Sequence, residues 1–252
     1  MTDSPQILSD NYLVIFDPLR LHLESEGKRL DLGQIAPTLP NQLLPFGFFM
    51  RDGPAAPFPG TVIRCPLRTA PSGISDQVVP DQVISELFKE FIDQELEIVC
   101  LFLNNIKCIE IYEVASNGDP RLLAKMTISR TSIHSSMFKV AVELERYQVS
   151  KRKEWLILQK SFSRDDAVKI LLAQPGYNLT TVTRTLQSAK FSPEVKIAVD
   201  ITGKIRGRLF TYLPLPVFSG FPVHVHSLFG IDTSRAHLRR ASVGLTSGSQ
   251  DQ

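Results

Sequence analysis

Residues 207–240 read GRLFTYLPLPVFSGFPVHVHSLFGIDTSRAHLRR, and three features of this stretch set the expected fold. Leu209, Thr211 and Leu213 alternate with Phe210 and Tyr212, the period of two that marks a buried strand. Pro214 and Pro216 are expected to cut it off, because proline has no N–H to give a sheet ladder. After the turn residues Ser219, Gly220 and Pro222 a second strand follows. Val223 and Val225 fall on one of its faces and His224 and His226 on the other, which predicts an apolar face and a polar face. Thr233, Ser234 and Arg235 then read as a helix start. Arg235, Arg239 and Arg240 share one side of the turn it would open, a geometry able to grip a phosphate or carboxylate. A basic helix end left in solvent accounts for the same arginines.

Working outward, the chain alternates strands with a few helices. Residues 12–16 form a continuous apolar run closed by Asp17-Pro18, read as a strand buried on both faces. Residues 19–60 carry Gly27-Lys28-Arg29 and six prolines, which predicts connecting structure, with Phe46, Phe48 and Phe49 packed beneath a loop. A strand opens at Gly60-Thr61. The polar bridge 70–79 is the expected domain boundary. Asp81 caps a helix whose Val83, Ile84, Leu87, Phe88, Phe91 and Ile92 recur on one side, predicting a buried face. Residues 98–103 and 106–114 read as strands, and Asn117-Gly118 as a hairpin turn into alternating Leu122, Ala124, Met126 and Ile128.

Strict alternation of Phe138, Val140, Val142 and Leu144 with polar neighbours predicts a half-exposed antiparallel strand, and residues 154–158 another, with the single tryptophan, Trp155, in the core. Ser163 and Asp166 form a capping box for a helix through Leu172 that Pro175-Gly176 ends. Val195, Ile197 and Val199 give one more strand.

Composition bounds the function. The 252 residues hold 28 basic against 26 acidic side chains, a net +2, too small to be a nucleic-acid or membrane footprint, so neither partner is expected. Cys65, Cys100 and Cys108 lie in apolar surroundings with no CxxC spacing, and read as reduced core residues of an intracellular protein. The longest apolar run, 98–103, is too short to span a bilayer, and the N-terminus lacks a secretory signal, which leaves cytosol or nucleus. His224 and His226 would place two imidazoles on one strand face, yet no third ligand is recoverable from spacing, so no metal is expected. Nor does spacing reveal a Ser-His-Asp, Cys-His or paired-carboxylate arrangement.

Four strings carry a resemblance. TDSPQILSDNYLVIFDP at 2–18, FPGTVIRCPLRT at 58–69, LFLNNIKCIEIYE at 101–113, and the strand, LPLP, PVH and Ser-Arg order of 207–240 resemble the distal part of a repeat in the sacsin and NO VEIN group of chaperone-like proteins. That group belongs to the wider GHKL ATPases. The likeness is weakest over 130–193. It implies an α/β protein: residues 1–75 as the distal remnant of an ATPase-like domain, an incomplete GHKL-type sandwich half; residues 76–242 as a second mixed α/β segment; and 243–252 as a tail.

For the site, the resemblance makes Thr61, following Gly60, the residue on the adenine side of a nucleotide, and Arg235 the cation that reaches its terminal phosphate. A Gly-Thr pair that merely opens a strand is the competing reading. GHKL nucleotide binding also uses a Glu and an Asn one helical turn apart, an Asp-x-Gly-x-Gly loop and a glycine lid. Residues 86–95 lack the Asn, Arg51-Asp52-Gly53-Pro54 has one glycine and a proline, and Met1 falls where the lid should end. The expectation is therefore a non-catalytic or truncated chaperone-type module engaging protein clients or chaperones, with ATP and magnesium only if the upstream elements are supplied. An ATPase completed in trans and a structural scaffold are the alternatives.

Overall fold

A two-residue turn, Asp10-Asn11, starts the first sheet. It joins β1 (Gln6–Asp10) to β2 (Tyr12–Phe16) with Asp10 at φ 44°, a left-handed value that Asp tolerates better than most side chains. The computed structural model describes residues 6–16, 26–38, 41, 43–49, 58–67, 70–71, 76–115, 118–173, 178–180, 182–183, 194–229, 231, 234–235 and 237–238. They fall into two compact units, 1–88 and 89–252, giving a mixed α/β protein with two sheets. Among the described residues no helix is long and apolar enough to cross a membrane. The Asp52-Gly53 and Pro175-Gly176 turns, Arg239, Arg240 and the 243–252 tail lie outside the described residues.

In the first unit β3 (Gly27–Asp31) and β4 (Phe58–Arg64) complete an antiparallel sheet in the order β3-β2-β1-β4. Gly27-Lys28-Arg29, expected as a break, is thus a strand paired along its length with β2, and Arg29 lies 3.9 Å over the Tyr12 ring. Asp31 then accepts a hydrogen bond from the Gly33 N–H at 2.8 Å and so caps α1 (Leu32–Thr38). Leu32 and Ile35 of α1 pack with Leu8, Leu13, Ile15, Leu43 and Phe46. The expected two-sided burial of 12–16 does not occur: Leu13 and Ile15 are buried while Tyr12 and Val14 are half-exposed, because an antiparallel sheet needs cover on one face only. Phe46 is buried, whereas Phe48 and Phe49 meet edge to face at the surface.

From α2 (Asp81–Glu90) the chain continues as a π-helical turn at Phe91–Glu95 and further helical turns through Phe102. The stripe expected to be buried on α2 is exposed at Val83, Leu87 and Phe88 and sinks into the core only from Ile92 onward. Residues 98–103 are therefore not a strand. Val99 N–H donates to the Glu95 carbonyl at 2.9 Å and Leu103 N–H to that of Cys100 at 3.1 Å, and a short apolar run cannot be assigned to strand or helix by periodicity alone.

These turns cover one face of an eight-stranded sheet. Its strands are β5 (Cys108–Val114), β6 (Pro120–His134), β7 (Met137–Arg146), β8 (Val149–Ser161), β9 (Glu194–Asp200), β10 (Arg208–Thr211), β11 (Leu213–Phe218) and β12 (His224–His226), in the spatial order β11-β10-β12-β9-β8-β7-β6-β5. Every pairing is antiparallel except β10 with β12. The expected alternation holds on β6 and β7, whose Ala124, Met126, Ile128, Val140, Val142 and Leu144 face Trp155 and Ile157 of β8 in one core; each large apolar side chain buried there contributes about 1.5–3 kcal/mol. Ser163 and Asp166 exchange the expected capping-box bonds, at 3.0 and 3.3 Å, ahead of α3 (Arg164–Leu172). On β9 it is Lys196, Ala198 and Asp200 that face inward, and Val195, Ile197 and Val199 are half-exposed.

Three further expectations are corrected. Pro214 and Pro216 do not end a strand; they lie within β11, at the sheet edge where a missing N–H costs no ladder bond, and the chain reverses instead at Tyr212, φ 60°. His224 and His226 face the core and are buried. Cys65 and Cys108 are exposed, and only Cys100 is a core residue.

Gly207, at the head of the deciding stretch, is clasped by the loop before β12. Its N–H donates to the Phe221 carbonyl at 3.1 Å and its carbonyl accepts from Ser219 N–H at 2.9 Å. A β-carbon there would overlap the carbonyl oxygens of Phe221 and Val223. Gly207→Ala is expected to destabilise the second unit by about 3 kcal/mol or more in urea unfolding, whereas Gly220→Ala, at φ 79° in open space, costs about 1 kcal/mol.

Candidate functional site

Gly60 and Thr61 are neighbours on β4, where β1 pairs Ser9 with Thr61 and Asp10 with Phe58, so that Pro59 and Gly60 form a bulge. The exposed Thr61 hydroxyl lies 3.2 Å from that of Ser9. Arg235 belongs to the second unit. It opens no helix: it sits at φ 59°, Ile231 and Leu238 on either side of it in the chain form an isolated bridge, and its guanidinium donates to the Thr211 carbonyl at 2.8 Å.

The two histidines are structural acceptors on the core face. His224 Nδ1 accepts the Arg208 N–H at 3.0 Å, and its ring packs against Trp155 and Phe210. His226 stacks on Phe102, with Nδ1 3.2 Å from both the Tyr212 nitrogen and the Phe210 carbonyl. Beside His224 lies a cluster of paired charges. Lys153 Nζ is 2.6 Å from Glu97 and 3.0 Å from Asp200, and 4.6 Å above the Trp155 ring. Asp200 also accepts from the Thr202 N–H and hydroxyl, and Arg208 pairs with Glu95. Burial pushes the Asp200 and Glu97 carboxyls up, but the Thr202 bonds and Lys153 outweigh it for the first, and Lys153 and Lys151 for the second, so both titrate below their usual range. Burial, reinforced by the charges of Lys153 and Arg208, lowers His224 to about 4. Among the described residues no three His, Cys, Asp or Glu side chains are grouped to hold a metal.

A cleft of about 460 Å³ opens on this same face, where the 98–104 turns meet the ends of β6 to β9. Its floor is apolar, with Phe102, Phe138, Val140 and Ile157. Its wall is polar, with Arg130 and Ser132 from β6, Gln159 from β8 and Lys196 from β9. The strand pattern carried the signal for these residues. Ala124, Met126 and Ile128 alternate inward along β6, and the same face continues as Arg130 and Ser132; on β8 the inward row Trp155, Ile157 ends in Gln159. Polar residues in register with a buried row mark where the sheet runs out from under its cover.

The Sacsin domain family profile matches residues 1–125, which include three of the four quoted strings. The chain also aligns with Sacsin of Homo sapiens at 25% identity over 219 residues. The chain belongs to the sacsin family. That alignment takes in 72% of this chain and 5% of the human protein, so the chain spans about a twentieth of that relative's length. The family match reaches across the first unit and into β5 and β6, and the cleft's Arg130 follows it by five residues.

The histidine sets a pH response. A cation-forming group whose folded pKa is depressed binds fewer protons folded than unfolded, so stability is full above the unfolded value of 6.5 and is lost as pH falls toward about 4. The unfolding free energy from urea titrations is expected to fall between pH 7.5 and 4.5 by an amount on the order of 3 kcal/mol. His224→Asn, which keeps an acceptor for the Arg208 N–H, is expected to flatten most of that slope.

Proposed function

We propose that this sacsin-family chain is a non-catalytic, chaperone-type module that engages protein clients by adding an extended client segment to the open edge of its large sheet. The observation that carries this reading is the difference between the sheet's two edges. At β11 the edge contains Pro214 and Pro216, which cannot offer N–H groups to an incoming strand. At β5 there is no proline.

The register of β5 fixes which backbone groups are free. The Ile128 N–H donates to the Lys107 carbonyl at 2.9 Å, so in an antiparallel ladder Ile109 and Ile111 also bond to β6, while the backbone of Cys108 and Glu110 points away from it. Side-chain charge does not guard this edge, because its acids are neutralised from within the sheet. Glu110 lies 2.7 Å from Lys125, and Glu113 pairs with Arg121 at 2.5 Å; the Lys125 and Tyr112 hydrogen bonds hold the Glu110 carboxyl below its usual range. Tyr112 and Val114 are exposed beside them. Main-chain pairing with an extended segment supplies affinity without sequence selectivity, which suits a partner recognised by being unfolded.

Aggregation of a probe protein, reduced α-lactalbumin, followed by light scattering without nucleotide, tests this. The full chain is expected to suppress scattering. Glu110→Pro, whose lost N–H lies outside the ladder, is expected to keep the melting temperature within a few degrees and to lose most of the suppression. Ile109→Pro removes a ladder bond and is expected to cost about 3 kcal/mol of stability. Equal suppression by the wild type and Glu110→Pro would refute the edge as the client site.

A further inference from the structure

Arg130 of β6 is a half-buried cation. Its Nη2 donates to the Cys100 carbonyl at 2.6 Å, and among the described residues no carboxylate pairs with it. Burial pulls its pKa down from the ordinary arginine value. A guanidinium taken partly out of water and left without a counter-charge is costly, and such a group is retained where something else supplies the charge. The other cation of the cleft, Lys196, is committed, since it lies 2.7 Å from Glu194. Arg130, Lys196 and Glu194 thus sum to one positive charge facing a floor of Phe102, Phe138, Val140 and Ile157.

We propose that this cleft is a binding site for a monocarboxylate carried on an apolar, preferably aromatic, body. The carboxylate pairs with the free face of the Arg130 guanidinium, whose planar fork matches two carboxylate oxygens. Gln159, on the same wall, is within the cleft to donate to it. The apolar body lies on Phe138 and Ile157 and against Phe102, whose ring is fixed by stacking 5.2 Å from His226 and edge-on 4.9 Å from Phe210. The single excess charge selects a monoanion over a phosphate dianion. The site is independent of the β5 edge, lying on the covered face of β6 to β9.

The protein contains its own reporter. Val140, in the cleft floor, pairs across the β7–β8 ladder with Trp155, the single tryptophan of the chain, so occupation of the floor should perturb its emission. Titrating 4-phenylbutyrate into the full chain, followed by Trp155 fluorescence and by calorimetry, is expected to give saturable binding. The arms are 4-phenylbutanol, acetate and phenyl phosphate, each expected to bind at least tenfold more weakly. Arg130→Gln is expected to weaken 4-phenylbutyrate binding at least tenfold and to leave 4-phenylbutanol binding unchanged. Should Arg130→Gln fail to fold, Phe138→Ala is expected to lower affinity for the same probe several-fold through the floor alone. No saturation with 4-phenylbutyrate, or equal binding of the alcohol and the acid, would overturn the proposal, and tighter binding of phenyl phosphate would overturn its choice of anion.

Discussion

Three residues of β12 join the two parts of the eight-stranded sheet. β12 pairs antiparallel with β9 on one side and parallel with β10 on the other, so without it the meander from β5 to β9 and the hairpin of β10 and β11 would share no ladder. So short a strand makes few backbone bonds, and its side chains supply the remainder. His224 accepts the N–H of Arg208 at the start of β10, and His226 stands within hydrogen-bond distance of the Tyr212 nitrogen at its end. Both imidazoles are packed among aromatic rings. Neutral rings suit this position, because a protonated His224 could no longer accept from the backbone and would add a charge beside Lys153 and Arg208.

That constraint explains the polar cluster around it. Lys153 and Asp200 project from the same face of β8 and β9 as Trp155 and Ala198, with side chains largely withdrawn from solvent. Each is satisfied at least twice, Lys153 by Glu97 and Asp200, and Asp200 by Lys153 and Thr202. Pairs this complete offset their desolvation, whereas removing one member strands the others. The apolar core thus ends in matched charges at one end of the face and at the other in an open cleft whose arginine pairs with no carboxylate among the described residues.

How much of this was legible in the chain depended on how long each pattern ran. The alternation of Phe138 to Leu144 and of Ala124 to Ile128 is readable because several consecutive turns of a two-residue period leave no helical solution, whereas Leu122 is exposed because a bulge opposite Ile111 and Tyr112 breaks the register there; the Ser163–Asp166 box is readable because its chemistry is local. Residues 98–103 were not, since six apolar residues satisfy a buried strand and a buried helical turn equally. Polarity alone directs the histidines to solvent, while their neighbours Trp155, Phe102 and Phe210, distant in sequence, make a buried acceptor worthwhile. The prolines of LPLP read as breakers in the sequence because edge position is a property of the whole sheet. Arg130 and Lys196 could not be joined into one site before the register of four strands was known, and the family likeness pointed elsewhere, to Gly60, Thr61 and Arg235.

The unequal edges of the large sheet also limit how copies of this chain can associate. Pro214 and Pro216 withhold N–H donors from a second copy at β11, so head-to-tail joining of β5 to β11 is disfavoured. Through the large sheet the favoured contact is β5 against β5, a two-fold arrangement in which each copy would cover the other's open edge.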